Sequence, residues 1–274
     1  MEFENSNKLK GYLSNESKRL NIHNNYAYTY YFLRSFLKRL MYNHNETFVV
    51  NGSMSQLANT HNLHRPITDL DIVSYLDIID SSYIIEKTIN NQIDDIKFSL
   101  KEKFITTNET TNFKIICNFD KIQHMIKIDL KKENTYKKIE KPLPIIMKRD
   151  VEYKINTIPI EQHIANKIYV ILKNYEKNKK MRKEMRRYKD FYDLYFLINN
   201  SIYDSKLVDM YLEHNFERFG EIDRKLLDIN LLDNNFMKNN EQSYLEDKVK
   251  YGFRDIDFSK VINVINTEIK GRIK

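Results

Sequence analysis

Apolar residues along this chain recur at two periods, and the changeover divides it. From about Ser6 to Asn45 the spacing is three and four, with Tyr28, Tyr31, Phe32, Phe36 and Leu40 on one stripe, which predicts helix. Phe48-Val49-Val50 reads as a short buried strand, and Gly52-Ser53 opens a helix covering Met54 to Asn59. In the next apolar run Leu70 and Ile72 alternate with Asp69 and Asp71, the period of a strand. Ser81 to Lys103 is predicted as helix from Ile85, Ile89, Ile93, Ile96 and Leu100. Phe113 to Phe119 and Ile122 to Leu130 alternate as paired strands around a tight turn at Asp120-Lys121. Pro142 and Pro144 then interrupt the pattern before a short extended piece, Val151 to Ile155.

Beyond Ile158 the helical period takes over. Pro159 opens a helix striped by Ile160, Ile164, Ile168 and Ile171, and MRRYKDFYDLYFLINN forms another with Phe191, Leu194, Tyr195 and Ile198 inward. From Ser201 to Lys274 the pattern is that of three amphipathic helices. Met210-Tyr211-Leu212, Leu226-Leu227 and Ile262 to Ile265 are their expected core. The fold class is therefore α/β (α+β), a mixed sheet with flanking helices over residues 1–157 and a helical portion over 158–274.

Composition narrows the function classes. The chain has 274 residues, formal net charge +7 and pI near 9.1, which favours an acidic partner such as RNA, a nucleotide or an acidic protein. A single cysteine, Cys117, excludes an internal disulfide and a cysteine-rich zinc site, fits a reducing compartment, and is expected to pack in a strand. No run approaches the roughly 18 apolar residues of a membrane span, and the start lacks a signal core, so the expected location is cytoplasmic. There is no Walker loop, no Gly-x-Ser-x-Gly elbow and no dinucleotide fingerprint. His61 and His64 lie in a spacer, where phosphate contact or surface exposure is expected before metal binding.

Candidate chemistry centres on Asn51 to Tyr75. Asp69 and Asp71 share one strand face and form a paired-carboxylate edge. Such carboxylates hold Mg²⁺ ions roughly 3.5–4 Å apart for in-line phosphoryl displacement. Gly52 and Ser53 open a helix whose N-terminus favours a phosphate. Asp129 points away from Ile126, Ile128 and Leu130; it is a third carboxylate of the site or a surface aspartate paired with Lys127 or Lys131. Lys167 falls at the margin of an apolar stripe, where it reaches a partner or snorkels to solvent. Asp190 lies against an apolar face and requires a partner, such as Lys167, a helix end, or bound nucleotide and metal. Lys177, Lys179, Lys180, Arg182, Lys183, Arg186 and Arg187 form a basic strip that grips RNA phosphates or is a solvated face. Tyr26, Tyr28, Tyr30 and Tyr31 either stack on bases or form a core stripe.

The run of Gly52-Ser53, a spacer and Asp69-Leu70-Asp71 resembles the DNA polymerase β-like nucleotidyltransferase superfamily. With Arg65 and Thr68 before the aspartates, and with PIEQHIANKIYVIL and RRYKDFYDLYFL downstream, the chain is similar to the AbiEii/AbiGii toxin family from about Ser14 to Ile269. Two departures are Asn51, where many members have lysine, and Ser53 in place of a second glycine.

The resemblance implies a nucleotidyltransferase fold whose helical portion completes the active site. It implies Asp69 and Asp71 as Mg²⁺ or Mn²⁺ ligands with Asp129 as third ligand or base. Gly52 and Ser53 would lie at the triphosphate, and Arg65 at the phosphates or in a salt bridge near the aspartates. Lys167 would neutralise phosphoryl charge and Asp190 would orient it or the acceptor, while Asp193 is a surface or scaffold residue. It further implies a bacterial toxin of a toxin–antitoxin or abortive-infection system, with a separately encoded antitoxin, transferring nucleotide from a nucleoside triphosphate to RNA, the tRNA 3′ end first. The alternatives are transfer to a protein or small-molecule hydroxyl, and a non-catalytic nucleotide-binding module.

Overall fold

In the computed structural model, which describes residues 3–92, 94–107, 109–181 and 188–272, the first helical stretch is two helices. α1 (Ser6–Leu20) is capped by the Asn5 side chain and stops at Asn21, whose φ of 53° places it in the left-handed region an asparagine tolerates. α2 (Asn24–His44) follows. Phe32, Phe36 and Leu40 on it are fully buried and Tyr30 is nearly so. The tyrosine stripe is thus mainly core, with Tyr26, Tyr28 and Tyr31 half-buried.

The chain divides into two compact units, Met1–Ile158 and Pro159–Lys274. In the first, β1 (Phe48–Val50), β2 (Leu70–Ser74), β3 (Lys97–Thr107), β4 (Thr110–Phe119), β5 (Ile122–Lys132), β6 (Ile139–Leu143) and β7 (Tyr153–Thr157) form a mixed sheet ordered β3-β4-β5-β2-β1-β7-β6. The β2/β5 and β1/β7 pairs are parallel; the other neighbours are antiparallel. α3 (Gly52–Thr60) joins β1 to β2, and α4 (Ile78–Asn90) joins β2 to β3.

Two expectations are corrected in this sheet. The helix expected over Ser81 to Lys103 ends at Asn90, and Lys97 onward is strand. Asn90-Asn91 competes poorly for helix, and Ile96 and Phe98 are buried while Lys97 and Ser99 are exposed, a period of two that the three-four spacing concealed. Leu100, expected in the core, is 41% exposed, and Ile93 lies outside the described residues. Pro142 does not interrupt the strand pattern: β6 runs through it, paired with Lys154, because this strand is an edge and needs no second row of donors.

The second unit holds α5 (Ile160–Met181), α6 (Tyr188–Asn200), α7 (Ser205–Phe219), α8 (Asn234–Tyr251) and α9 (Phe258–Lys270). Its core joins Ile164, Ile168 and Ile171 to Leu194 and to an aromatic group of Tyr188, Tyr244, Phe253 and Phe258. Tyr211, Leu212, Leu227, Ile262 and Ile265 are buried as expected, whereas Met210 is 52% exposed because it falls on the outer side of α7. Among the described residues, no helix is long and apolar enough to cross a membrane. Cys117 is fully buried on β4, and burial pushes its thiol pKa up.

Arg39 ties α2 to the segment entering β3. It is 1% exposed, donates to the carbonyls of Asn91 and Ile96, pairs with Asp94, and stands 4.4 Å from the Phe98 ring centre. Arg39→Met removes every one of these bonds and is expected to cost about 2–4 kcal/mol in urea unfolding. Asp94→Asn, at a carboxylate 26% exposed, is expected to cost roughly 1 kcal/mol. Equal losses for the two variants would show that the carbonyl bonds contribute nothing.

Candidate active site

The junction between β1 and α3 is bound directly to β2. The Asn51 N–H donates to the Asp71 carbonyl at 2.8 Å, continuing the ladder that pairs Val50 with Ile72. The next residue, Gly52, therefore lies on the Asp71 side chain. A Cβ at Gly52 would stand 1.8 Å from Asp71 Oδ2 and 2.7 Å from its Cγ, and the glycine has φ +59°. Glycine is required twice over, by the contact and by the backbone. α3 is held in place from behind: Ser55 bonds Thr157, and Asn59 Nδ2 donates to the Ile158 carbonyl at 3.0 Å.

This arrangement sets the first amides of α3 against a carboxylate, and those amides have no partner within the helix. Asn51 supplies no side-chain cap. Ser53 is 4% exposed and its hydroxyl oxygen has no hydrogen-bond partner among the described residues. One turn further, Gln56 is fully buried with both amide ends unpartnered, a residue that sequence reasoning missed. Buried polar atoms left unpaired are costly, and a ligand or water that satisfies them recovers the cost.

Asp71 and Asp129 are register partners on the parallel strands β2 and β5. Asp69 lies two residues before Asp71, immediately ahead of β2, and all three carboxylates are half-buried. As expected, Ile126, Ile128 and Leu130 are buried and Asp129 is on the other side of β5. Asn112 Nδ2 donates to Asp129 Oδ1 at 2.6 Å. Among the described residues no three His, Cys, Asp or Glu side chains converge as a ready-made metal cage. The donors still suit a hard cation, because Mg²⁺ takes one or two carboxylates and completes its shell with substrate phosphates and water. Gly52 lets the start of α3 close onto one such carboxylate, and the adjacent Ser53 hydroxyl supplies a further polar atom.

Arg65 is 7% exposed and donates to the Pro66 carbonyl at 3.3 Å, so it is built into the spacer. His61 ends α3 in the left-handed region and is exposed; His64 is 3% exposed, neither at the surface nor displayed. Of the basic strip, Arg182, Lys183, Arg186 and Arg187 and the side chains of Lys179 and Lys180 lie outside the described residues.

The second unit carries its own charged cluster. Lys167 Nζ bonds Asp190 Oδ1 at 2.6 Å and Asp193 Oδ2 at 2.8 Å, with side chains 17%, 3% and 0% exposed. Lys167 does not snorkel: two carboxylates one helical turn apart on α6 hold it. Asp193 is no surface residue but an equal partner. One turn before Lys167 on α5, His163 is 2% exposed, and its pKa is lowered to about 3 by burial and then by the Lys167 charge, with Asp193 opposing. Its spacing of four from Lys167 was the available signal.

Gly52→Ala is expected to lose about 1–3 kcal/mol in thermal or urea unfolding, since it meets both the left-handed backbone and Asp71; an unchanged midpoint would refute the contact. His163 is neutral when folded and titrates near its ordinary 6.5 when unfolded. Its contribution is complete above pH 6.5 and is lost as pH falls towards 3, at about 1.4 kcal/mol per pH unit. Urea unfolding between pH 8 and 5 should therefore show a shallower acid loss for His163→Gln than for the parent chain. Parallel curves would mean that His163 takes its proton in place.

Residues 35–264 match the family described as nucleotidyl transferase AbiEii toxin, type IV TA system. No curated protein matches the sequence significantly. Among solved structures, JHP933 from Helicobacter pylori superimposes with TM-score 0.51 at 15% identity, over 87% of this chain and 89% of that one. A second H. pylori structure, carrying a provisional nucleotidyltransferase assignment, gives TM-score 0.45 at 15% identity over 87% and 92%. The JHP933 likeness is one of fold, and the family match spans most of the chain, including both aspartate pairs and Lys167. The chain belongs to the AbiEii family of nucleotidyltransferase toxins of type IV toxin–antitoxin systems.

Proposed function

We propose that this toxin transfers a nucleotidyl group from a nucleoside triphosphate to RNA, with the tRNA 3′ end as acceptor, and that a separately encoded antitoxin opposes it. The observation that carries the site assignment is the seating of Gly52 on Asp71 beside the buried, unpartnered Ser53 hydroxyl. The first amides of α3, brought against the Asp71 carboxylate by that seating, and the Ser53 hydroxyl together suit a metal-bound phosphate. The RNA acceptor is supported by the net charge of +7 and by the resemblance to toxins that extend tRNA.

In this reading Asp69 and Asp71, with Asp129, would hold Mg²⁺ or Mn²⁺, which when bound offsets the charge of the triphosphate and polarises its α-phosphorus. Gly52 and Ser53 hold the phosphates by amide and hydroxyl hydrogen bonds. The acceptor hydroxyl oxygen forms a bond to the α-phosphorus while the α–β bridging bond breaks and pyrophosphate leaves. The hydroxyl proton passes to Asp129, whose carboxylate is held at that strand position by Asn112. Lys167 and Asp190 are assigned to the same activity by the resemblance. The two are held together by a 2.6 Å ion pair with little exposure to solvent.

Incubation with total tRNA, Mg²⁺ and each labelled nucleoside triphosphate in turn tests the proposal. RNase-sensitive label is expected with at least one nucleotide, falling at least about 100-fold in Asp71→Asn. Label resistant to RNase would move the acceptor to a protein or small molecule. Growth inhibition that survives Asp71→Asn intact would identify a non-catalytic module.

A further inference from the structure

Asp129 is not held by its own strand alone. Asn112, its register partner on β4, donates Nδ2–H to Asp129 Oδ1 at 2.6 Å, and Thr106 Oγ1 donates to Asn112 Oδ1 at 2.7 Å. An ionised carboxylate only accepts, so an amide turned the other way would set two oxygens against each other. Asp129 therefore selects the orientation of the Asn112 amide, and the Thr106 hydroxyl, able to donate or accept, completes it as a donor.

Thr106 reaches this position through an irregularity in β3. The register passes from Ile105 opposite Thr111 to Thr107 opposite Thr110, leaving Thr106 as the extra residue of a bulge. A bulge re-aims the side chain it carries. The result is a polar row, Thr106–Asn112–Asp129, crossing three strands and ending beside Asp71 on the fourth. Like charges on adjacent strand positions repel, and the Asn112 N–H opposes that repulsion by holding Asp129 Oδ1 from the β4 side.

We propose that Asn112 is a positioning residue for nucleotidyl transfer, holding the Asp129 carboxylate beside Asp71, with the bulged Thr106 fixing the amide. This rests on the reading of Asp129 as the group that receives the acceptor proton. Asn112 does not touch substrate; it acts through Asp129.

The test is steady-state nucleotidyl transfer by the full chain, with thermal unfolding of each variant as the folding control. Asn112→Ala is expected to lower kcat about 10-fold while KM for the nucleotide stays within about twofold. Thr106→Val should lower kcat less, and Thr106→Ser should restore it. Asn112→Asp is the diagnostic variant: it keeps the size of the side chain but replaces the N–H facing Asp129 with an oxygen, so kcat should fall at least as far as in Asn112→Ala while KM for the nucleotide stays within about twofold. A purely structural role would leave kcat of this near-isosteric variant at the parent level. Parent-level kcat in Asn112→Ala, or a loss accounted for by unfolding, would overturn the positioning role while leaving nucleotidyl transfer standing. A parent chain that transfers no nucleotide would overturn both.

Discussion

One short backbone contact fixes the junction of β1 and α3 in the first unit. Because the Asn51 N–H bonds the Asp71 carbonyl, the chain leaving β1 has no room to diverge before α3 begins. The helix must start on top of the aspartate side chain, and only a residue without Cβ can occupy that point. A helix end that is electropositive is thus fixed against a carboxylate, with a buried serine hydroxyl alongside. An isolated unpaired hydroxyl in such a place is a cost to folding, of the kind found where a protein is built to receive something else.

The second unit meets a comparable difficulty with a charged partner of its own. Two carboxylates less than 4% exposed would be prohibitive alone, yet Lys167 satisfies one oxygen of each. The cluster carries a net negative charge beside a histidine held neutral by burial. Lys167 joins α5 to two positions one turn apart on α6.

Much of this was legible in the residues because the relevant periods are short. Alternation around Asp71 and Asp129 placed each on the correct face, and the apolar stripe of α5 placed Lys167 at its margin. What escaped lay in relations between distant segments. Nothing local to Asp193 separates a surface aspartate from a buried one, since its burial is set by α5, more than twenty residues earlier. The start of β3 was mistaken for helix because Ile96, just ahead of it, and Leu100 within it continued the helical spacing of α4 by coincidence. Asn112 and Thr106 gave no signal at all: a bulge is a property of two strands in register, not of either sequence.

The parallel pairing of β2 with β5 carries a consequence for the history of the molecule. Asp69 and Asp71 are neighbours from the moment they are synthesised, but Asp129 joins them only after α4, β3 and β4 have formed and β5 has returned to lie beside β2. Bringing those segments together costs the closure entropy of a loop of some fifty residues, and β1 must wait longer still for β7. On the ribosome the sheet therefore completes late. A nascent or truncated chain that ends before β5 has all of α3 and both early aspartates, yet lacks Asp129 and the strand that β2 pairs with.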